Sequence, residues 1–133
     1  APPTATPTRT PTAAAPPAAP SSLGAVAVAW NEIDLSWTDN SSNETGFKVE
    51  RAPAVNGPWS LISTTAANVP VFANTGLAPS TKYYYRVSAS NAAGDSNTSN
   101  RASDTTLASF TATVAVYGHG ASSATDAAAV AAN

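Results

Sequence analysis

His119, the only histidine, stands between Gly118 and Gly120, with Ser122, Ser123 and Asp126 following it. These are the residue types of a Ser–His–Asp site. That chemistry needs a base held within hydrogen-bond reach of its nucleophile by rigid surroundings, and a histidine in a Gly-rich turn has none. It reads as a surface turn residue. Glu32 and Asp34 share one face of an alternating segment, where carboxylates keep a surface soluble. Asp39, Asn40, Asn43 and Glu44 gather oxygen donors in one loop, which raises calcium. The calcium-loop pattern with its invariant glycine is not present, so the loop reads as an ordinary solvated one. Cysteine is absent, which removes disulfides, thiolate metal sites and thiol nucleophiles together. No catalytic residue, metal ligand or cofactor site is assigned, and the chain is not expected to be an enzyme.

Binding chemistry is nearly as sparse. A net charge of −2 with 11% charged residues offers no basic face for nucleic acid or an anionic membrane. No apolar run approaches the roughly 20 residues of a membrane span. Aromatic rings could stack on sugars, but Trp37, Phe47, Tyr83 and Tyr85 occupy inward positions of alternating segments. Trp59 falls at an edge, Trp30 lies in a turn, and Tyr84 faces out beside Arg86. Scattered rings make no platform, and carbohydrate stays only a candidate ligand. Asn40, Asn43 and Asn97 head N-x-S/T sequons, which matter only in a host that glycosylates asparagine.

The elements that position these residues are strands. Residues 23–28 read as the first, followed by a turn at 29–31. Residues 32–37 alternate cleanly, with Ile33, Leu35 and Trp37 inward and Glu32, Asp34 and Ser36 outward. A polar loop over 38–46 leads to Phe47, Val49 and Arg51, which alternate with Lys48 and Glu50. Asn56, Gly57 and Pro58 turn the chain into a strand over 59–64, with Leu61 and Ser63 facing opposite to Ile62. A short strand over 69–74 precedes the stretch that organises the chain. There Leu77, Pro79 and Thr81 form a turn that delivers Tyr83, Tyr85 and Val87 into a long strand reaching about Ser90. After a turn at 91–94, a weakly apolar last strand is expected over 97–106.

Short strands with turn signals every 8–12 residues suggest an all-β sandwich. The spacing L-x-P-x-T-x-Y at 77–83 resembles the tyrosine corner of fibronectin type III domains. I-x-L-S-W at 33–37, T-G-F-K-V-E-R at 45–51, G-P-W-S-L-I at 57–62, Y-Y-Y-R-V at 83–87 and N-A-A-G-D-S at 91–96 follow in the same order as in that family. Together they are similar to the fibronectin type III modules of secreted bacterial proteins. The resemblance covers about residues 20–107. It implies a seven-stranded immunoglobulin-like sandwich with extended N- and C-terminal arms, the domain itself occupying 21–107. It further implies that the Tyr83 ring fills core while its hydroxyl bonds back to the turn, with Leu77, Pro79 and Trp37 as the other structural residues. The integrin-binding tripeptide of some animal members is missing, so no integrin role carries over. On the outer face, Glu50 and Arg86 are expected to pair.

Residues 1–20 hold only Ala, Pro, Thr and Arg9, the composition of an extended, solvated arm or linker. Thr4, Thr6, Thr8, Thr10 and Thr12 are candidate O-glycosylation sites there. At the other end, residues 108–133 fall outside the module. Residues 109–117 alternate again, with Phe110, Ala112, Val114 and Val116 on one face, and the end is Ala-rich. This is an extra strand in a sandwich that needs none. Phe110, Val114 and Val116 are therefore candidate assembly residues, able to complete a neighbour's sheet edge. With no methionine, residue 1 is not an initiator, which fits a processed protein or a piece of a longer one. Two classes of function follow. One is a non-enzymatic extracellular or cell-surface structural module, a filament or surface-polymer subunit joined through its arms, with copies of itself or adjacent domains as partners. The other is an accessory or spacer module of a secreted polysaccharide-degrading enzyme, with weak carbohydrate binding.

Overall fold

The computed structural model describes residues 14–110. Eight strands occur in the order β1 (Ser21–Ala29), β2 (Glu32–Thr38), β3 (Gly46–Ala52), β4 (Ser60–Ala66), β5 (Val71–Asn74), β6 (Lys82–Asn91), β7 (Gly94–Asp95) and β8 (Ala102–Thr105). They form two antiparallel sheets. The smaller runs β1-β2-β5, and the larger runs β4-β3-β6-β7 with β8 also on β6. β2 shows why the sequence folds this way: its burial alternates residue by residue, burying Ile33, Leu35 and Trp37. Period-two patterning leaves one sheet face to pack and one to hydrate.

The core lies between the sheets. Ile33, Phe47, Val49, Tyr85, Val87 and Ala89 are fully enclosed, with Leu23, Leu35, Trp37 and Leu77 close to it. Trp37 meets Phe47 edge to face at 5.5 Å, the geometry that aligns the positive ring edge with the negative ring face. One polar group is taken deep inside with its partners. The Tyr85 hydroxyl donates to Asn74 Oδ1 at 2.9 Å, and Arg51 Nη1 donates to the same oxygen at 3.1 Å. Burial pushes the Tyr85 phenol above its ordinary range, and the Arg51 charge offsets part of that.

Four expectations change. The Tyr83 ring is half-buried and packs against the rim of the core, while Tyr85 is the enclosed tyrosine. Ser63 does not share the face of Leu61. It pairs with Val49 while Leu61 pairs with Glu50, and the register shift between them is a bulge at Ile62. A bulge puts an extra residue on one strand and so breaks strict alternation. The last strand is broken rather than continuous over 97–106. Ser96 Oγ and Ser99 Oγ accept from the N–H groups of Ala89 and Val87 at 2.9 and 3.0 Å, so serine side chains occupy ladder positions between β7 and β8. Finally, the end of the N-terminal arm lies along the domain. Pro17 and Pro20 are buried, Ala15 O accepts from Asn43 and Asn91, and Ala19 O accepts from Asn40.

Candidate functional site

The oxygen-rich loop after β2 is occupied with its own structure. Ser41 N–H and Oγ–H donate to Asp39 Oδ1, Ser41 Oγ–H also donates to Glu44, and Asn68 N–H donates to Glu44 Oε1. The Ser41 hydroxyl, ahead of the backbone N–H groups, holds the Glu44 carboxyl below its usual range. Among the described residues no group of three or more His, Cys, Asp or Glu is placed to hold a metal. Glu32 and Asp34 sit on the outer side of the smaller sheet, Asp34 between Val26 and Ala73. His119, Ser122, Ser123 and Asp126 lie outside the described residues.

The two outer faces differ in chemistry. On the smaller sheet, exposed Val26, Val28 and Val71 border a groove floored by Asp34 and Ser36. On the larger sheet, Arg86 pairs with Glu50 at 2.6 Å and Lys48 with Asp95 at 2.9 Å. The expected Glu50–Arg86 pair is therefore present, directly across β3 and β6. Partly exposed, it is worth about 1 kcal/mol or less. The guanidinium of Arg86 lies 4.5 Å from the Trp59 ring centroid, and that of Arg101 lies 6.0 Å from it. Lys82 covers Tyr84 at 5.3 Å. The rings that sequence left free for stacking on sugars are thus covered by cations, except for exposed Trp30.

The sheet edges differ more sharply still. Along β1, Asn100 Oδ1 accepts from Leu23 N–H at 2.8 Å and Asn100 Nδ2 donates to Leu23 O at 3.0 Å. Farther down, Asp104 Oδ2 accepts from Ala27 N–H at 2.8 Å, and Leu107 N–H donates to Ala29 O at 3.3 Å. Side chains from the β8 segment thereby stitch the β1 edge, as a partner strand would. β4 lies at the opposite edge of the larger sheet. Its sequence, SLISTTA, has neither charge nor proline, the devices that normally protect an edge.

The sequence-assigned structural residues gather at the turn before β6. Tyr83 Oη accepts from Ala78 N–H at 3.0 Å, Leu77 is buried, and Pro79 O accepts from Thr81 Oγ1. Trp37 is in the core, away from this turn, and its indole N–H has no acceptor among the described residues. A residue not singled out from sequence completes the corner. Thr106 is buried, donates to Ala78 O at 2.6 Å and accepts from Thr81 N–H at 2.9 Å. Asn100 and Asp104 also escaped the sequence reading; their only signal is an unusually polar segment where a strand was due. Because Ala78 is exposed, water can replace the acceptor lost in Tyr83→Phe, which should cost about 0.5–1.5 kcal/mol. Tyr85→Phe removes a buried donor and should cost more, about 1–3 kcal/mol. Urea melts of the two variants check the order. Phe110 is exposed, while Val114, Val116 and Thr4, Thr6, Thr8, Thr10 and Thr12 lie outside the described residues.

Two antiparallel sheets, packed through alternating strands and closed by a tyrosine turn before β6, define a β-sandwich of the immunoglobulin-like class. The family model of the fibronectin type III domain matches residues 18–105. The chain belongs to the fibronectin type III family. It is similar to an Fn3-like protein from Clostridium thermocellum, with 31% identity over 67% of this chain and 92% of that one, at a TM-score of 0.59. A three-domain titin fragment matches at 24% identity over 69% of this chain, TM-score 0.60; this chain spans 32% of that fragment. The fibronectin type III domain of human fibronectin type III domain containing protein 3 matches at 23% identity, over 75% of this chain and 94% of that one, TM-score 0.61. These last two likenesses concern the fold. Domains of this family are structural modules, generally without catalysis, and are common in extracellular and cell-surface proteins.

Proposed function

We propose that the chain is a non-enzymatic extracellular structural module, of the kind carried by secreted bacterial proteins, whose copies join through their terminal arms. In this reading residues 109–117 of one copy add as a strand to the β4 edge of another. The observation that supports it is the contrast between edges: β1 is stitched by Asn100 and Asp104, whereas β4 is uncharged and proline-free. An added strand would gain a backbone ladder along β4 and bury Phe110, Val114 and Val116 beside exposed Leu61. Each side chain contributes about 1.5–3 kcal/mol when fully buried. Ordering costs about 1–2 kcal/mol per residue, so the arms must add further contacts for assembly to proceed.

Val114→Asp places a charge in the proposed contact. Gel filtration and negative-stain microscopy of the intact chain should show polymers for the wild type and monomers for the variant, with the same thermal melting of the domain. A wild type that stays monomeric at high concentration, or a variant that polymerises normally, overturns the assembly reading. The monomeric result favours instead a spacer module beside a polysaccharide-degrading domain.

A further inference from the structure

A second concave site lies at the end of the sandwich where β3 finishes and β4 and β6 begin. Its volume is about 260 Å³, and its walls include Arg51, Pro53, Pro58, Ser60, Lys82 and Tyr83. What distinguishes it is a surplus of donors. Arg51 is half-buried, yet no carboxylate lies within ion-pair distance of it among the described residues, where the ion pairs are those of Lys48 and Arg86. Its guanidinium donates to Asn74 Oδ1 and lies 5.2 Å from the Tyr83 ring centroid. The remaining guanidinium N–H groups have no protein acceptor among the described residues. The Tyr83 oxygen accepts from Ala78 N–H, which leaves its own proton free to donate. Ser60 adds an uncommitted hydroxyl, and Lys82 lines the rim with its ammonium on the Tyr84 ring. Those guanidinium N–H groups reach solvent, so a ligand can meet them. Here the unfilled role is that of an acceptor with negative charge.

We propose that this pocket binds an acidic monosaccharide unit, its carboxylate on Arg51 and its ring against the pyrrolidines of Pro53 and Pro58. A planar guanidinium matches a carboxylate through paired N–H donors. The apolar walls suit the C–H face of a sugar, and Ser60 and Tyr83 supply hydrogen bonds to ring hydroxyls. The volume lies below the roughly 300–1,000 Å³ of sites for drug-sized ligands, which matches one sugar unit. The site is complete within one chain, so it stands whether or not copies assemble.

The test is an NMR titration of the wild-type chain with glucuronate, using glucose and acetate as controls. Glucuronate should shift the Arg51 Nε–H and the amides around Ser60 and Lys82, more weakly as salt rises. Glucose should leave them unmoved, and acetate should bind at least about tenfold more weakly for want of the ring contacts. Arg51→Gln should weaken glucuronate binding about tenfold or more through loss of a charge-assisted bond. Because Arg51 also supports Asn74, the exposed Ser60→Ala serves as a second variant, folded and several-fold weaker in binding. Equal responses to glucose or acetate would overturn the proposal. So would unchanged affinity in Ser60→Ala, or shifts confined to other parts of the surface, as an acidic peptide-binding face would give.

Discussion

Phe47→Ala is expected to lower the unfolding free energy by about 3–5 kcal/mol, the usual range for removing a large buried aromatic ring. Phe47 has no exposed surface. It is the second residue of β3, paired with Thr65 of β4 on one side and Ala89 of β6 on the other. Trp37 reaches across from the opposite sheet to touch it edge-on at 5.5 Å. Removing the ring therefore empties the centre of the sandwich and removes an aromatic pair together. Neighbouring β-strands cannot close such a gap without slipping a register that every other core residue enforces. Domains of this kind hold only about 5–15 kcal/mol in all, so the variant should be marginal at body temperature. Urea titration should show a lower midpoint with an unchanged slope. Leu61→Ala, at an exposed position on the same sheet, should stay within about 0.5 kcal/mol of its parent when both are compared as monomers in the Val114→Asp background. A comparable loss in both variants would mean that the Leu61 face is covered in solution.

Replacing Asn100 and Asp104 together by alanine should do two things. The Leu23 and Ala27 N–H groups lose their acceptors, and Leu23 is buried, so about 1–3 kcal/mol should be lost at that position alone. The β1 edge also becomes a bare row of donors and acceptors, which invites pairing between chains. In the Val114→Asp background, which is expected to be monomeric, light scattering should then show association, and thermal melting should fall. A monomeric variant that melts like the wild type would show that β1 needs no stitching. The contribution of Asp104 carries a pH signature of its own. Ala27 N–H first, then Thr105 N–H, holds its carboxyl below the usual carboxylate range. A folded-state value below the unfolded one adds stability that is fully present above about pH 4 and fades as pH falls through the folded value. Asp104→Ala should therefore flatten part of the acid limb of the stability profile and leave the neutral region parallel to wild type.

The fold was legible because its core residues sit on strict alternation. Ile33, Leu35 and Trp37 in β2, and Tyr85, Val87 and Ala89 in β6, face inward as a period of two requires. The tyrosine turn was legible from its spacing. What escaped was work done by side chains in place of backbone. Ser96 and Ser99 take ladder positions, so the polar run 96–101 looked like a weak strand and is a break. Asn100 and Asp104 read as ordinary solvated side chains because nothing in composition says that an amide or carboxylate faces a free N–H rather than water. The bulge at Ile62 has the same origin: an inserted residue leaves hydropathy unchanged while it shifts the register. Tyr83 and Tyr85 share a face, and pattern alone could not tell which ring reaches the centre. For the surface, sequence supplied the Glu50–Arg86 pair, since cross-strand neighbours follow once register is known. The donor-rich pocket did not emerge from sequence, because Arg51, Ser60 and Lys82 come from three strands and only folding unites them.

The stitching of β1 by the β8 segment also fixes how the domain would carry load. Asn100 meets Leu23, Asp104 meets Ala27 and Leu107 meets Ala29, so the first and last strands run side by side in the same direction. The chain accordingly enters at one pole of the sandwich and leaves at the other. Tension applied through the two arms pulls β1 along its own axis against β2. The ladder bonds between antiparallel strands stand perpendicular to that axis, so they are strained in shear, all together, rather than opened one after another like a zip. In a string of such modules each link would resist until its whole first strand slid free, making the terminal strand a mechanical clasp.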